Sequence, residues 1–289
     1  MILRQDLLIR LRYFILIFLK LKINRLKVLL MKLDDKVFII TGAAEGIGNA
    51  IARLFSENNA NLILADIEKP DLQLRNSVCL KYNPLSLVES LRLVNETLNN
   101  FDNRIDGIVN ALSTCIVAKV SRLDVETWDY QMDFNFKSVF FLNQAVAKQM
   151  IKQGNGGIII NLVSTAGVTG TDQISAYSAS QAALMNLSST MALELRTDNI
   201  RTNNIIAPYI EAVAIKNGEL FKGKDPERIR GVAYTFSPMM DLIDPEQVAQ
   251  IALFLALNDS LIINGQNIGI IDDELTNIRN ILTKKRLKS

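Results

Sequence analysis

Short apolar runs alternate with longer amphipathic segments along most of this 289-residue chain. Apolar runs of four to eight residues bounded by turn residues are typical of buried strands, whereas apolar positions at helical spacing indicate helices that pack on one face. Strands are predicted at residues 36–41, 61–66, 105–111, 157–164, 200–207 and 265–271. Helices are predicted at residues 46–58, 86–99, 125–153, 175–195 and 246–257.

This order of elements predicts the fold class. Repeated strand–helix–strand units with nearly continuous apolar strands are typical of a parallel sheet that is covered by helices on both faces. We find no internal repeat or low-complexity linker that would divide the chain. The prediction is therefore an α/β protein with a single doubly wound parallel sheet, which occupies residues 31–275.

The two ends of the chain are basic and differ from this pattern. Residues 1–30 form an apolar leader whose longest uncharged run, 13–19, is far shorter than the ~18–20 residues that span a bilayer. Three interpretations fit the leader: a stretch outside the working protein, which we favour, a packing or interface helix, or a segment on a membrane surface. Residues 276–289 are predicted to be a basic tail.

Composition excludes several classes of chemistry. The chain contains no histidine, which removes Ser-His-Asp hydrolysis and histidine acid–base catalysis. Its two cysteines, Cys79 and Cys115, are too few for a disulfide framework or a zinc site, so we predict no metal and a cytoplasmic location. A net charge of +2 also argues against nucleic acid as a partner.

A glycine-rich loop, "TGAAEGIG" at residues 41–48, follows the first predicted strand and opens the first helix. Glycines at such a turn let the backbone approach a pyrophosphate, and the helix N-terminus supplies free N–H groups with a positive dipole. The cofactor contacts predicted in this loop are Gly42, Glu45, Gly46, Ile47 and Gly48.

Asp66 ends the second predicted strand, at the distance from the loop where an acid binds the adenosine ribose. A carboxylate there accepts hydrogen bonds from the ribose hydroxyls and repels a 2′-phosphate. We therefore predict NAD as the cofactor, in preference to NADP. The alternative is an aspartate that only caps a turn.

The glycine spacing and four further landmarks resemble the short-chain dehydrogenase/reductase family, whose Rossmann-type fold agrees with the predicted sheet. The landmarks are Asn110 after a strand, Asn135 in the long helix, Ser164 after "GGIIINLV", and Tyr177 in "SAYSASQAAL". The resemblance implies that Tyr177 is the acid–base residue, that Ser164 positions the substrate oxygen, and that Asn135 holds a water in the proton relay. Asn110 is implied as a residue beside the cofactor.

The chain departs from this family mostly around the nicotinamide end. The lysine expected four residues after Tyr177 is replaced by Gln181, which we assign to the cofactor ribose without a positive charge. Lys119 and Lys137 are weaker candidates for supplying a cation there. Asn83 stands for an acid that contacts adenine. Further departures are Ser113 at a glycine position, Tyr209 after a proline, Val213 at a threonine position, and Asp272 and Asp273.

Within the family, several stretches are similar to dehydrogenases of 2,3-dihydro-2,3-dihydroxybenzoate, which act in catechol siderophore synthesis. They include "RIDGIVNALS", "ETWDYQMDFNF" and, in the variable substrate-covering region, "ERIRGVAYTF". The resemblance implies a small cyclic hydroxy-acid substrate and a homo-oligomer, expected to be a tetramer. The alternatives are a short-chain oxidoreductase of other specificity and a catalytically silent NAD-binding homologue.

Overall fold

A seven-stranded parallel sheet forms the centre of the protein, in a computed structural model that describes residues 33–207 and 244–270. The strand order is β3-β2-β1-β4-β5-β6-β7, so the chain winds first to one side of β1 and then to the other. Because every pairing is parallel, each connection crosses over the sheet. The predicted doubly wound α/β fold is confirmed.

The elements agree with the predicted pattern at most positions. The strands are β1 Val37–Thr41, β2 Asn61–Asp66, β3 Ser77–Lys81, β4 Gly107–Asn110, β5 Gly157–Ser164, β6 Ile200–Ala207 and β7 Asn267–Gly269. The α-helices are α1 Gly46–Glu57, α2 Leu87–Asn100, α3 Val125–Met132, α4 Ser138–Gln153, α5 Ala166–Thr169, α6 Ser175–Glu194 and α7 Pro245–Ala256. Short 3₁₀ turns cover Val120–Arg122, Leu195–Asp198 and Asn258–Ser260.

Two elements differ from the prediction. The edge strand β3 is absent from it, because none of the strand's residues is fully buried and its sequence "SVCLK" therefore carries a weak apolar pattern. The single helix predicted at 125–153 is interrupted by a π-turn at Asp133–Lys137, which separates α3 from α4. π-turns inside helices often occur at functional sites, and this one contains Asn135.

Both faces of the sheet carry an apolar core. On one face α1 and α7 pack together over side chains such as Phe38, Ile40 and Leu64. On the other face α2 and α4 cover side chains such as Ile39 and Ile108. Each fully buried Leu, Ile or Phe side chain contributes about 1.5–3 kcal/mol relative to its exposed state. Because helices cover both faces of the sheet, the strands carry apolar side chains on both sides.

Leu33 anchors the start of the described chain, since it is buried and its N–H donates to the Asn58 carbonyl at 2.7 Å. The leader and the tail predicted at 1–30 and 276–289 lie outside the described residues. Within residues 33–207 and 244–270, no helix is long and apolar enough to cross a membrane.

Candidate active site

The predicted site residues converge at the carboxyl edge of the sheet, around the point where the strand order reverses between β1 and β4. In open α/β sheets ligands bind at this position, because the loops on either side diverge and leave a crevice. The loops after β1, β2, β4 and β5 border it here. These loops are far apart in the sequence. They come together because the strands are parallel and end at the same edge of the sheet.

Two glycines allow the loop after β1 to pack closely. Gly42 has a positive φ of 72°, and a Cβ there would lie 2.7 Å from the carbonyl carbon of Ala111. A Cβ on Gly48 would overlap the Gly42 carbonyl oxygen. Any side chain at either position would therefore displace the loop or the start of α1. The Glu45 side chain makes no capping hydrogen bond at the N-terminus of α1, where backbone N–H groups can bind an anion.

Asp66 faces this loop and is almost fully buried. Its Oδ2 accepts the N–H of Ala44 at 2.9 Å, and its Oδ1 accepts the N–H of Ile67 at 2.7 Å. Each carboxylate oxygen has a second lone pair, so the pair can still accept two hydroxyl groups of a ribose. The role of Asp66 at the ribose stays a prediction.

The electrostatics around Asp66 are negative. Burial raises the pKa of Asp66, and the two backbone N–H groups oppose that rise. The nearby carboxylates of Glu45 and Glu68 raise the pKa of Asp66 further. Three carboxylates near this position disfavour a further negative charge there.

A groove of about 540 Å³ begins at Ile67, the residue that follows Asp66. Ile67, Asn83 and Leu85 line it together with Tyr130 and Phe134. The Asn83 side-chain oxygen, which the sequence assigned to adenine, accepts the N–H of Leu85 at 3.1 Å. Asn83 therefore shapes the loop as well as bordering the groove.

Tyr177, near the start of α6, lies at the other end of the crevice and is 7% exposed. The side chains of Ser164, at the end of β5, and Ser113, in the loop after β4, lie near its hydroxyl and act to lower its pKa. Burial and the adjacent Cys115 outweigh the two serines and raise the pKa of Tyr177 to about 12. Burial likewise raises the pKa of Cys115 to about 12.

Gln181 lies inside the protein, with 1% of its surface exposed. Its Oε1 accepts the backbone N–H of Ser164 at 2.9 Å. The glutamine is therefore joined to the predicted catalytic serine, a contact that its sequence position did not reveal. The two other candidates for a cation at the site, Lys119 and Lys137, have different surroundings. Lys119 is exposed, and Lys137 is ion-paired with Asp133 at 3.0 Å.

The loop after β4 is fixed by two amides one helical turn apart. Asn135 is buried in the π-turn, where its Nδ2 donates to the Thr114 carbonyl and its Oδ1 accepts the Thr114 N–H, both at 2.7 Å. Gln131 accepts the N–H of Ile116 at 2.8 Å. These contacts hold the loop that presents Ser113 to Tyr177. The sequence identified Asn135 but did not identify Gln131, the second amide that holds this loop.

Asn110 ends β4 beside the crevice, but its amide points into the sheet. Its Nδ2 donates to the side-chain oxygens of Asn143 at 2.7 Å and Asn161 at 2.8 Å. The network continues through Ser188 and Asn204 in the interior. A buried network whose members are satisfied rigidifies its surroundings. The side chain of Asn110 therefore stabilises the sheet edge that carries the loop after β4.

Four of the departures noted in the sequence, Tyr209, Val213, Asp272 and Asp273, lie outside the described residues, as does the substrate-covering stretch 227–236. Ser113 lies within them. Its side chain lies near the Tyr177 hydroxyl, at a position that the sequence marked only as a missing glycine. In the described part of the chain, no group of three His, Cys, Asp or Glu side chains is placed to hold a metal ion.

A nicotinamide dinucleotide fits the residues present. The close-packed glycine loop leaves backbone N–H groups of α1 for the pyrophosphate, and Asp66 retains acceptor sites for the adenosine ribose. The hydroxyls of Ser164 and Tyr177 lie at the far end, where the nicotinamide end of an extended cofactor would come. The Gln181 amide can donate and accept hydrogen bonds there, but it carries no charge.

The fold and this site define a dinucleotide-binding oxidoreductase of the Rossmann type. The profile of the family described as short chain dehydrogenase matches residues 36–220, and the chain belongs to that family of oxidoreductases.

Individual relatives extend over nearly the whole fold. The chain is 36% identical over 248 residues to a 3-oxoacyl-[acyl-carrier-protein] reductase, FabG, from Thermotoga maritima, which covers 83% of this chain and 98% of the relative. It is 33% identical over 259 residues to an NAD-dependent glycerol dehydrogenase from Listeria innocua, covering 84% and 95%. A crystal structure of a short-chain dehydrogenase/reductase homologue from Burkholderia xenovorans shares the fold, with a TM-score of 0.76, 24% identity, and coverage of 83% and 96%.

Proposed function

We propose that this protein is an NAD-dependent dehydrogenase that oxidises a secondary hydroxyl group on a small molecule. The observation that carries the proposal is the grouping of the buried Tyr177 and Ser164 side chains, with the exposed Ser113 beside them, at the end of a crevice whose other end holds Asp66. Acid–base hydroxyls and a ribose-binding acid on opposite sides of one switch point are what such a reaction needs.

The residues divide the reaction between them. Ser164 holds the substrate oxygen by a hydrogen bond, and the Tyr177 oxygen takes the proton of the substrate hydroxyl as the carbonyl forms. When bound, the nicotinamide supplies the acceptor for the hydride that leaves the same carbon. Ser113 donates to the Tyr177 oxygen and stabilises its ionised form. The burial of Tyr177 and Ser164 limits the access of water to these two hydroxyl groups.

The substrate that we propose is 2,3-dihydro-2,3-dihydroxybenzoate. The support comes from the sequence stretches at 104–113, 126–136 and 227–236, of which the last lies in the region that distinguishes substrates. Oxidation of one ring hydroxyl gives a ketone that tautomerises to an aromatic catechol. That product is strongly stabilised, so the reaction tolerates a weaker catalytic base than an ordinary alcohol oxidation does.

The test is to mix the purified full chain with NAD and the dihydrodiol and to follow the absorbance of NADH. Formation of NADH that is reduced about 10²–10⁴-fold by Tyr177→Phe supports the proposal, since that is the usual contribution of a general base. NADH formation from glycerol but not from the dihydrodiol would contradict the substrate and retain the reaction class.

A second candidate function is favoured by Gln181 and by the raised pKa of Tyr177. At a pKa of about 12, only about one tyrosine in 10⁵ is ionised at pH 7 without a cation nearby. A protein of this kind binds NAD without turnover. Calorimetric binding of NAD together with no NADH formation from any alcohol tested would favour this candidate over the dehydrogenase.

We also propose a homotetramer, on the resemblance of α4 and α6 to the paired interface helices of the family. Ile151 and Leu193, near the ends of these helices, are 43% and 67% exposed in the single chain. Light scattering at micromolar concentration is expected to give four times the 32.3 kDa chain mass. A mass of one chain would contradict the proposal.

A further inference from the structure

Gln181 occupies the position of the family lysine, yet it uses a property that lysine does not have. Its Oε1 accepts the N–H of Ser164, whereas a lysine ammonium has three donors and no acceptor. We propose that Gln181 is a positioning residue, which holds the backbone of Ser164 so that the serine hydroxyl stays against Tyr177. This inference rests on the proposed dehydrogenase function and deepens it.

The end of β5 explains why Ser164 needs this partner. In β5 the N–H of Ile158 donates toward β4, to the Asp106 carbonyl, and alternate residues along the strand face the same side. Ser164 is one of these residues, but β4 ends at Asn110, which pairs with Asn161. The N–H of Ser164 therefore extends beyond the last residue of β4. Gln181 supplies from α6 the acceptor that the sheet does not.

The glutamine is held in place by the packing of α5 on α6. A Cβ on Gly167 would lie 2.9 Å from the Cβ of Gln181, so the two backbones approach as closely as a glycine permits. This close approach and the 1% exposure of Gln181 leave its side chain little room to rotate. A buried amide in one orientation is suited to fixing a neighbouring backbone group.

The serine hydroxyl is fixed in turn. Ser164 Oγ accepts the N–H of Ala166 at 3.1 Å, and the same side chain lies near the Tyr177 hydroxyl. A shift of the Ser164 backbone would therefore disturb both contacts. The order of dependence runs from Gln181 to the Ser164 backbone, then to the Ser164 hydroxyl, and finally to the Ala166 amide and the Tyr177 oxygen.

The test compares hydrogen exchange at two amides, measured by mass spectrometry on overlapping peptides of the full chain. Gln181→Met, which removes the acceptor at similar volume, should raise exchange at both Ser164 and Ala166 by about tenfold, the scale of one lost hydrogen bond. Ser164→Ala should raise exchange at Ala166 alone, because it keeps the backbone N–H of residue 164. Gln250→Met, the same change on an exposed turn of α7, should alter neither amide.

Kinetics separate positioning from a purely structural contact. Gln181→Met should lower kcat for the dihydrodiol about tenfold or more, since small misplacements of a catalytic group carry costs of that order. In the Ser164→Ala background the same substitution should lower kcat little further, because the hydroxyl that it positions is absent. An equal kcat loss in both backgrounds would mean that Gln181 acts independently of the Ser164 hydroxyl, which would overturn the inference.

The two proposals fail in different ways. Unchanged exchange at Ser164 and Ala166 in Gln181→Met overturns the positioning role, whether or not the protein turns over. If exchange responds as expected but the wild-type protein binds NAD without oxidising any alcohol, the dehydrogenase function fails. The dependence of the Ser164 hydroxyl on Gln181 then still stands.

Discussion

The carboxylate of Asp66 accepts the N–H of Ala44 at 2.9 Å, which joins the end of β2 to the glycine loop after β1. One side chain therefore shapes the glycine loop at the place where the ribose is predicted to bind. We predict that NAD binds more tightly than NADP in calorimetric titrations, and that Asp66→Asn narrows the difference while it keeps the loop contact. Equal affinities in the wild-type protein would contradict this role.

The same preference should depend on pH. Burial is the largest influence on the pKa of Asp66 and raises it above 3.8. The carboxylate carries its charge above that raised pKa and loses the charge as the pH falls through it. The NAD preference should therefore weaken on acidification, starting at a higher pH than an ordinary aspartate would allow. Asp66→Asn should show a preference that does not change over this range.

Gln181→Lys tests the effect of the missing charge. An ammonium one helical turn from Tyr177 should lower the pKa of the phenol and move the pH–rate profile to lower pH by about one unit or more. Turnover at neutral pH should rise about ten- to a hundredfold, within the range of an acid–base contribution. The gain is limited because lysine leaves the Ser164 N–H without its acceptor.

Tyr177→Phe in the Gln181→Lys background is the control, and it should abolish the gain. A pH–rate profile that does not move when lysine is present would show that the charge does not reach the phenol. Hydrogen exchange at Ser164 should rise in Gln181→Lys as it does in Gln181→Met, which separates the loss of the acceptor from the gain of charge.

Asn135→Ala should destabilise the protein and loosen the loop that carries Ser113. The substitution leaves the N–H and the carbonyl of Thr114 without their partners, at a cost of about 1–3 kcal/mol in the free energy of unfolding. Denaturant unfolding measures this cost. The matched control is Asn100→Ala, at an exposed position at the end of α2. Equal stabilities of the two variants would contradict the bracing role of Asn135.

The lowered pKa of Asp106 predicts how the free energy of unfolding depends on pH. Burial alone would raise its pKa, but hydrogen bonds from Arg104, the Val37 N–H and Lys36 outweigh burial and lower it. A carboxyl whose folded pKa is lowered stabilises the protein above its unfolded pKa, near 3.8. That stabilisation is lost as the pH falls through the lower, folded value.

Asp106→Asn should therefore cost about 1–3 kcal/mol at pH 7 and flatten the decline of stability in acid, because hydrogen bonds to a charged group contribute that much. Unfolding by urea between neutral pH and pH 2 measures both effects. Asp129→Asn, at an exposed position of α3, is the control and should leave the acid branch unchanged. If the free energy of unfolding falls in acid as steeply in Asp106→Asn as in the wild-type protein, the assignment is wrong.

The sequence by itself determined most of the sheet, the glycine loop and the positions of the candidate site residues along the chain. These features are local: apolar runs specify buried strands, glycines specify a tight turn, and helical spacing places Gln181 one turn after Tyr177. Asp66 and Ser164 could be predicted for the same reason, since each ends an apolar strand. Parallel strands then bring their carboxyl ends to one edge whatever the details of packing.

Only the tertiary structure decided what the side chains of that edge contact. Gln181 meets the N–H of Ser164 because β4 is shorter than β5, and Ser113 meets Tyr177 because Asn135 holds the intervening loop. The edge strand β3 also escaped prediction, since half-exposed residues carry little apolar signal. Such contacts depend on where neighbouring strands end and how helices pack on them, and no local pattern in the chain encodes those distances.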